Sequence, residues 1–229
     1  MSTVLVIAAH PDDEVLGCGA TIARHAQAGD KVHIVIIAEG STSRDAHRNR
    51  TEHVHPLSIL AKAAHRAKET LGATSLDMHD FPDNRLDSVD LLDIVKTVEI
   101  HIASHMPDIV YTHHAGDVNI DHRRIHDAVV AASRPQPVHP VKRLLFFEIP
   151  SSTEWQSPGS APAFLPNWFV DVSDFIALKL SALEAYTSEL RDWPHPRSLK
   201  AVEHLSRWRG ASVGCESAEA FMLGRNVVL

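Results

Sequence analysis

Short, unbroken apolar runs alternate along this chain with segments of helical periodicity, and the most polar clusters fall just after the apolar runs. Together these predict an α/β fold: three layers, with a Rossmann-like, mostly parallel sheet and helices on both faces. The first run, Thr3–Ala8, reads as a strand covered on both sides and ends abruptly in His10-Pro11-Asp12-Asp13-Glu14. A helix is expected from Glu14 to Ala28, where Val15, Ile22 and Ala26 recur at helical spacing, acids sit at the start and Gly29 supplies the stop. Lys31–Ala38 is a second β-branched run, so the first three elements form a βαβ unit with a right-handed crossover. The pattern continues with a helix at about Pro56–Leu71, a strand at Ser75–Asp80 and a helix from a cap-like Ser88 to about Ser104. A strand at Asp108–Tyr111, a helix beginning near Asp121 and a strand at Val141–Glu148 follow. Between Pro150 and Pro166 the composition shifts to Ser, Pro, Gly and Trp, too irregular for an element, which predicts a loop over the site. A strand at Trp168–Val170 and helices at Ser173–Leu190 and Ser198–Arg209 complete the reading.

Composition narrows the function classes. With 44% hydrophobic and 22% charged residues in 229, the chain has the balance of a soluble globular protein and is expected to form one domain. A net charge of -7 without a basic run lacks the footprint of a nucleic-acid binder. No stretch approaches the roughly 20 consecutive apolar residues of a membrane-spanning helix. Met1–Ile7 runs straight into a strand without a basic leader, so a cytoplasmic protein is expected. Cys18 and Cys215 are the only cysteines, too few for a disulfide framework and suited to a reduced compartment. The unusual feature is the count of 17 histidines, since imidazole is the commonest metal ligand.

In an open α/β sheet, ligands bind beyond the carboxyl ends of the strands. Four polar clusters lie there: His10–Glu14, Glu39–Arg44, Phe81–Asp87 and His113–His126. In the first, two adjacent carboxylates and an imidazole in a proline-stiffened loop crowd negative charge where a cation would stabilise both ionised forms. His10 and Asp13, three apart, can point at one centre, which leaves Asp12 pointing elsewhere and free to act as a base. Mere complementation of the following helix dipole would need neither the histidine nor both carboxylates. In the last cluster His122 and His126 are four apart at a helix start, and spacing alone does not choose between them. Two imidazoles and one carboxylate from different loops leave a fourth zinc position open for water, the arrangement of a catalytic site.

The motif Ala9-His10-Pro11-Asp12-Asp13-Glu14 after the first strand, with Asp121-His122 before the fourth helix, resembles the PIG-L/LmbE family of zinc-dependent N-deacetylases. Residues 81–87 and 148–155, His195-Pro196-Arg197-Ser198, Arg209-Gly210 and residues 218–221 are similar to bacterial members and occur in the expected order, so the likeness spans nearly the whole chain. The resemblance implies that His10, Asp13 and His122 bind Zn2+, that Asp12 is the general base, and that the substrate is a small molecule carrying an N-acetylated amino sugar. It also implies a C-terminal segment that completes the site, and a homo-oligomer. One departure matters: many members have His-Pro-Asp-His where this chain has Asn119-Ile120-Asp121-His122. Asn119 can donate a hydrogen bond to an oxyanion but cannot carry a charge, so either Asn119 takes that role or His195, held between two prolines, replaces it.

Three further residues are candidates for substrate contact. Arg85 could grip a phosphate or carboxylate or form a surface salt bridge. Glu148 and Trp155 could line a sugar pocket, Trp155 as a stacking platform or as packing. Competing functions are weaker. Gly17-Cys18-Gly19 lacks the third glycine of a dinucleotide fingerprint, Ile22 standing in its place, and close helix packing explains these glycines better. No Gly-x-Ser-x-Gly elbow marks a serine hydrolase. The non-enzymatic alternative is a histidine-rich metal-binding or sensing protein that also draws on His47, His53 and His55; it predicts several metals per chain and no acetate release.

Overall fold

The computed structural model describes residues 1–44, 47–135 and 141–228. Strands β1 (Thr3–Ala8), β2 (Lys31–Ala38), β3 (Ser75–Phe81), β4 (Ile109–His113) and β5 (Arg143–Phe147) lie side by side in parallel. With β6 (Trp168–Asp171) and β7 (Ala218–Asn226) they make a seven-stranded sheet in the order β3-β2-β1-β4-β5-β7-β6. Helices α1 (Asp13–Gln27), α2 (Val54–Leu71), α5 (Ile176–Glu184) and α6 (Leu199–Ala211) contribute to the core on one face, and α3 (Leu91–His105) and α4 (Ile120–Ala132) to that on the other. The unbroken apolar run of β1 follows from this arrangement. Val4 and Val6 enter one core while Leu5 and Ile7 enter the other, so every position of the strand after Thr3 is buried. No helix of the described residues is long and apolar enough to cross a membrane.

β7 is the strand the sequence analysis missed. It runs antiparallel to β5 and β6, and its opening Ala-Glu-Ala-Phe-Met-Leu is rich in helix formers, so pairing on both sides overrides local preference. Other boundaries shift for identifiable reasons. β4 runs on to His113, paired with Phe147, so that histidine lies buried in the sheet rather than in the following loop. Ser88 does not cap α3; its hydroxyl donates to the Arg85 carbonyl within a 3-10 turn at Leu86–Ser88, and the helix starts at Leu91. α5 ends at Glu184 instead of continuing to Leu190, and the turn that follows brings the buried Tyr186 hydroxyl to Glu14.

α1 is not a continuous helix either. At Cys18 the backbone leaves helical geometry (φ −150°, ψ 26°), which would orphan a carbonyl before the kink and N–H groups after it. A buried ion pair fills both needs. Lys179 of α5 donates to the Leu16 carbonyl at 2.8 Å, and Glu219 of β7 accepts the Ala20 and Thr21 N–H groups at 3.1 and 2.7 Å. The two side chains meet at 2.6 Å. Gly17 sits at this kink because a Cβ there would lie 2.5 Å from the Phe147 ring, the close packing expected of these glycines.

Candidate active site

The loop after β1 turns at Asp12, whose φ of 111° and ψ of −29° lie in a region that L-residues rarely adopt. Its carbonyl accepts the Val15 and Leu16 N–H groups at 3.0 and 2.9 Å, yet its carboxylate makes no cap bond. Glu14 takes that work, accepting the Asp12 N–H at 3.1 Å and the Tyr186 O–H at 2.5 Å. The Asp12 carboxylate is thereby left facing Arg197, whose guanidinium lies 3.3 Å from Oδ2.

His10, Asp13 and His122 converge, each offering a ligand atom within 4.8 Å of the other two. His10 Nδ1 and His122 Nε2 both stand 3.2 Å from Asp13 Oδ2. Asp13 Oδ1 and His122 Nε2 are buried without a hydrogen-bond partner among the described residues. Buried orphans of this kind are rare, and a divalent ion taking imidazole and carboxylate ligands would satisfy both, so the donor set fits a metal. The outer nitrogens of the two imidazoles are held by carboxylates, as in metal sites generally. His10 Nε2 is 2.9 Å from Asp121 Oδ2 and 3.3 Å from Asp83 Oδ1; His122 Nδ1 is 3.2 Å from Asp117 Oδ2. Asp121 also accepts the Asn84 and Leu86 N–H groups at 2.7 and 2.9 Å, and Asp117 the Asn119 N–H at 2.8 Å and the Ser152 and Thr153 hydroxyls. His126, the alternative to His122, donates Nδ1–H to the His113 carbonyl at 2.9 Å.

The electrostatics follow from burial against close partners. Burial pushes the Asp13 carboxyl up, but His122, His10 and His113 outweigh it and hold it well below the carboxylate range. Burial pulls His122 down, and Asp13 with Asp117 reverses this, to about 9. His10 is likewise raised by Asp121, Asp13 and Asp83 against its burial. The same negative field that would keep protons on these rings favours a cation in their place. Asp12 is pushed well up by burial, with Arg197 opposing; Glu14 is pushed up to about 7 by burial, with the Tyr186 hydrogen bond opposing. Asp117 falls to about 2 because His122 and Ser152 overcome its burial. His113, stacked on His122 with ring centroids 4.0 Å apart, is driven down by burial and by that neighbour. Its Nε2 accepts the Ala9 N–H at 2.8 Å.

The remaining predicted site residues are placed as follows. Asn119 is the N-cap of α4: Oδ1 accepts the Asp121 N–H at 2.8 Å and Nδ2 donates to Asn84 at 2.9 Å. His195 accepts the Arg197 N–H on Nδ1 at 3.1 Å, which puts the proton of a neutral ring on Nε2, and it meets the edge of Trp155 at 5.8 Å. Trp155 is 54% exposed. Glu148 is gripped by Arg209 through two bonds of 2.8 and 2.7 Å. It lines a cleft of about 280 Å³ together with Pro150, Glu154, Pro194 and Pro196. Arg85, half-buried, follows Asn84 at the 3-10 turn after β3. The loop over this region is pinned by His114, whose Nε2 donates to the Pro162 carbonyl at 2.9 Å, and Gly116 is required there because a Cβ would lie 1.8 Å from that oxygen.

Sequence reasoning missed Arg197, Asp117, Asp121 and Asp83 as site residues. Asp121, adjacent to His122, and Asp117, in the same cluster, carried a local signal; Arg197 did not, since only the fold brings it to Asp12.

The family profile described as "PIG-L: GlcNAc-PI de-N-acetylase" matches residues 5–133. The chain is 31% identical over 191 residues to the uncharacterized deacetylase YaiS of Escherichia coli (strain K12), covering 81% of this chain and 90% of that one. Among solved structures, N,N'-diacetylchitobiose deacetylase from Pyrococcus horikoshii superposes with a TM-score of 0.76 at 20% identity, over 97% of this chain and 83% of that one. The 4-carboxy-2-hydroxymuconate hydratase GalB from Pseudomonas putida KT2440 does so with a TM-score of 0.78 at 20% identity, over 100% and 98%. At such identities a likeness shows the fold alone, and fold does not decide chemistry. The profile over more than half of the chain and the YaiS match do establish kinship: this protein, with its His-Pro-Asp-Asp loop after β1, belongs to the PIG-L family of de-N-acetylases.

Proposed function

We propose that the chain is a Zn2+-dependent N-deacetylase that removes the acetyl group from an N-acetylglucosamine-type sugar conjugate or a related small amide. The observation that carries this reading is the pair of buried, unpartnered atoms, Asp13 Oδ1 and His122 Nε2, converging with His10 beside a carboxylate, Asp12, that has been kept out of the helix cap. His10, Asp13 and His122 would hold the ion, which when bound supplies Lewis-acid polarisation of the acetamide and lowers the pKa of water. Asp12 accepts the proton of the attacking water and returns it to the departing amine nitrogen. Arg197, tied to Ser151 Oγ at 2.7 Å, holds the Asp12 carboxylate in place. His195 is the oxyanion donor, through Nε2–H; Asn119, spent on the α4 cap and on Asn84, positions the helix start that carries His122.

The sugar class is supported by the activity from which the family takes its name, de-N-acetylation of GlcNAc-PI, and by the substrate named for the Pyrococcus horikoshii deacetylase. In this reading residues 1–229 work as one domain, with residues 150–166 covering the site and Arg197 completing it from the C-terminal part. Trp155 stacks on the sugar, Glu148, held by Arg209, forms a wall of the cleft, and Arg85 meets an anionic group on the aglycone. Chelator treatment followed by reloading with Zn2+ tests the proposal, with release of acetate and free amine followed over a panel of N-acetylglucosamine conjugates, nucleotide sugars and acylated small molecules. The expected result is turnover lost with chelator and regained with Zn2+. A zinc-loaded protein that leaves every amide intact would favour the non-catalytic metal-binding reading.

A further inference from the structure

The described site uses His10 and His122, but a second group of imidazoles runs along the edge of the sheet, from His33 near the start of β2 to His79 in the second half of β3. His33 of β2 and Ser75, Asp77 and His79 of the edge strand β3 share the sheet face that also presents Val35 and Ile37. His101 and His105, four apart in the last turns of α3, face them. His79 Nε2 and His101 Nε2 are 2.8 Å apart. The His33 and His105 rings stack at 3.9 Å, and those of His101 and His105 at 6.0 Å. One ligand atom from each of Asp77, His101 and His105 lies within 4.8 Å of the others.

From this juxtaposition we infer a second metal site, formed by Asp77, His79, His101 and His105, that takes a divalent transition ion of the imidazole-preferring kind, such as Zn2+. The chemistry of the donors supports it. Three imidazoles and one carboxylate are a tetrahedral zinc set, and the set carries a single negative charge against the ion's two positive ones. Two nitrogens on one zinc stand about 3.3 Å apart, from bond lengths of about 2.0–2.1 Å, so the 2.8 Å between His79 and His101 must open slightly and His79, which lies outside the preformed Asp77–His101–His105 group, must turn toward it. His33, with Nδ1 engaged by Ser75 Oγ at 2.8 Å, is a positioning residue that stacks His105 into place. A bound ion ties the last turn of α3 to β3, the exposed edge of the sheet. His47, His53 and His55, the histidines that abundance first pointed to, belong to neither metal group.

The test counts Zn2+ per chain by equilibrium dialysis and elemental analysis, comparing the full protein with Asp77→Asn and His105→Ala, both on side chains that are not fully buried. Each variant is expected to bind one Zn2+ fewer than the parent and to lose one component of the visible Co2+ spectrum, with deacetylase activity and metal-free Tm unchanged. His65→Ala, an exposed helix histidine outside the cluster, is expected to match the parent. Equal zinc counts in parent and both variants would overturn the site. Because the readout is a difference between proteins, it stands whether or not the first site holds zinc.

Discussion

Asp12→Asn is expected to lower kcat/KM by about 10²–10⁴-fold while zinc content stays at the parental level. The substitution keeps the size of the side chain and the backbone at φ 111°, and asparagine tolerates positive φ better than most residues. It removes the ability to accept the water proton and the charge that faces Arg197, while an amide oxygen can still accept from that guanidinium. Asp12 does not cap α1, because Glu14 does, so the helix start survives the change. Asp13 and His122 keep their own contacts, and metal binding is untouched. Near-normal turnover in a zinc-loaded Asp12→Asn protein would sink the assignment of the base. The same assay separates the two oxyanion candidates: His195→Ala is expected to reduce kcat by about 10²–10³-fold, the cost of losing one oxyanion donor. If Asn119→Ala instead lowers kcat and His195→Ala does not, the role belongs to Asn119.

Glu219→Ala is expected to destabilise the fold by about 3–5 kcal/mol, the usual cost of breaking a buried ion pair from one side. For a chain of this size that is a drop in Tm of about 6–20 °C. Three groups lose their carboxylate partner together: the ammonium of Lys179, a residue 4% exposed that keeps only the Leu16 carbonyl, and the Ala20 and Thr21 N–H groups after the α1 kink. Lys179→Met with Glu219→Gln removes both charges and leaves an amide oxygen for one N–H, so the double variant is expected to recover part of the loss. Thermal melts and urea titrations measure this. A Glu219→Ala protein within about 1 kcal/mol of the parent would show that water replaces the pair and that the kink needs no partner.

Much of the architecture was legible before any coordinates. β1 and β2 were legible because both faces of each strand are covered, which leaves an unbroken apolar run in the chain. Ser198 was legible as a helix start because its hydroxyl caps α6, accepting the Ala201 N–H at 3.1 Å. β7 was not legible, since its strand character comes from β5 and β6 on either side rather than from its own helix-favouring residues. The end of α5 and the kink in α1 were hidden for the same reason: Tyr186 leaves the helix to reach Glu14, and the Cys18 kink is held by side chains 163 and 198–199 residues away in the chain.

The site divides along the same line. His10, Asp12 and Asp13 could be named from a single loop, because spacing within a few residues limits which side chains share a centre. Spacing alone did not choose between His122 and His126 and the family resemblance named His122; the fold supplies the physical reason, turning His126 onto the His113 carbonyl and leaving His122 Nε2 buried without a hydrogen-bond partner. Arg197 at Asp12, Asp121 at His10 and the His79–His101 contact likewise join residues 185, 111 and 22 positions apart. The sequence by itself determined the alternation of elements, the polar loops at the strand ends and the His-Pro-Asp-Asp motif after β1, all of which are short-range patterns. Tertiary structure alone decided which imidazoles face a carboxylate, a carbonyl or one another, because a side chain's partner is set by packing between distant segments and leaves no periodic trace in the chain.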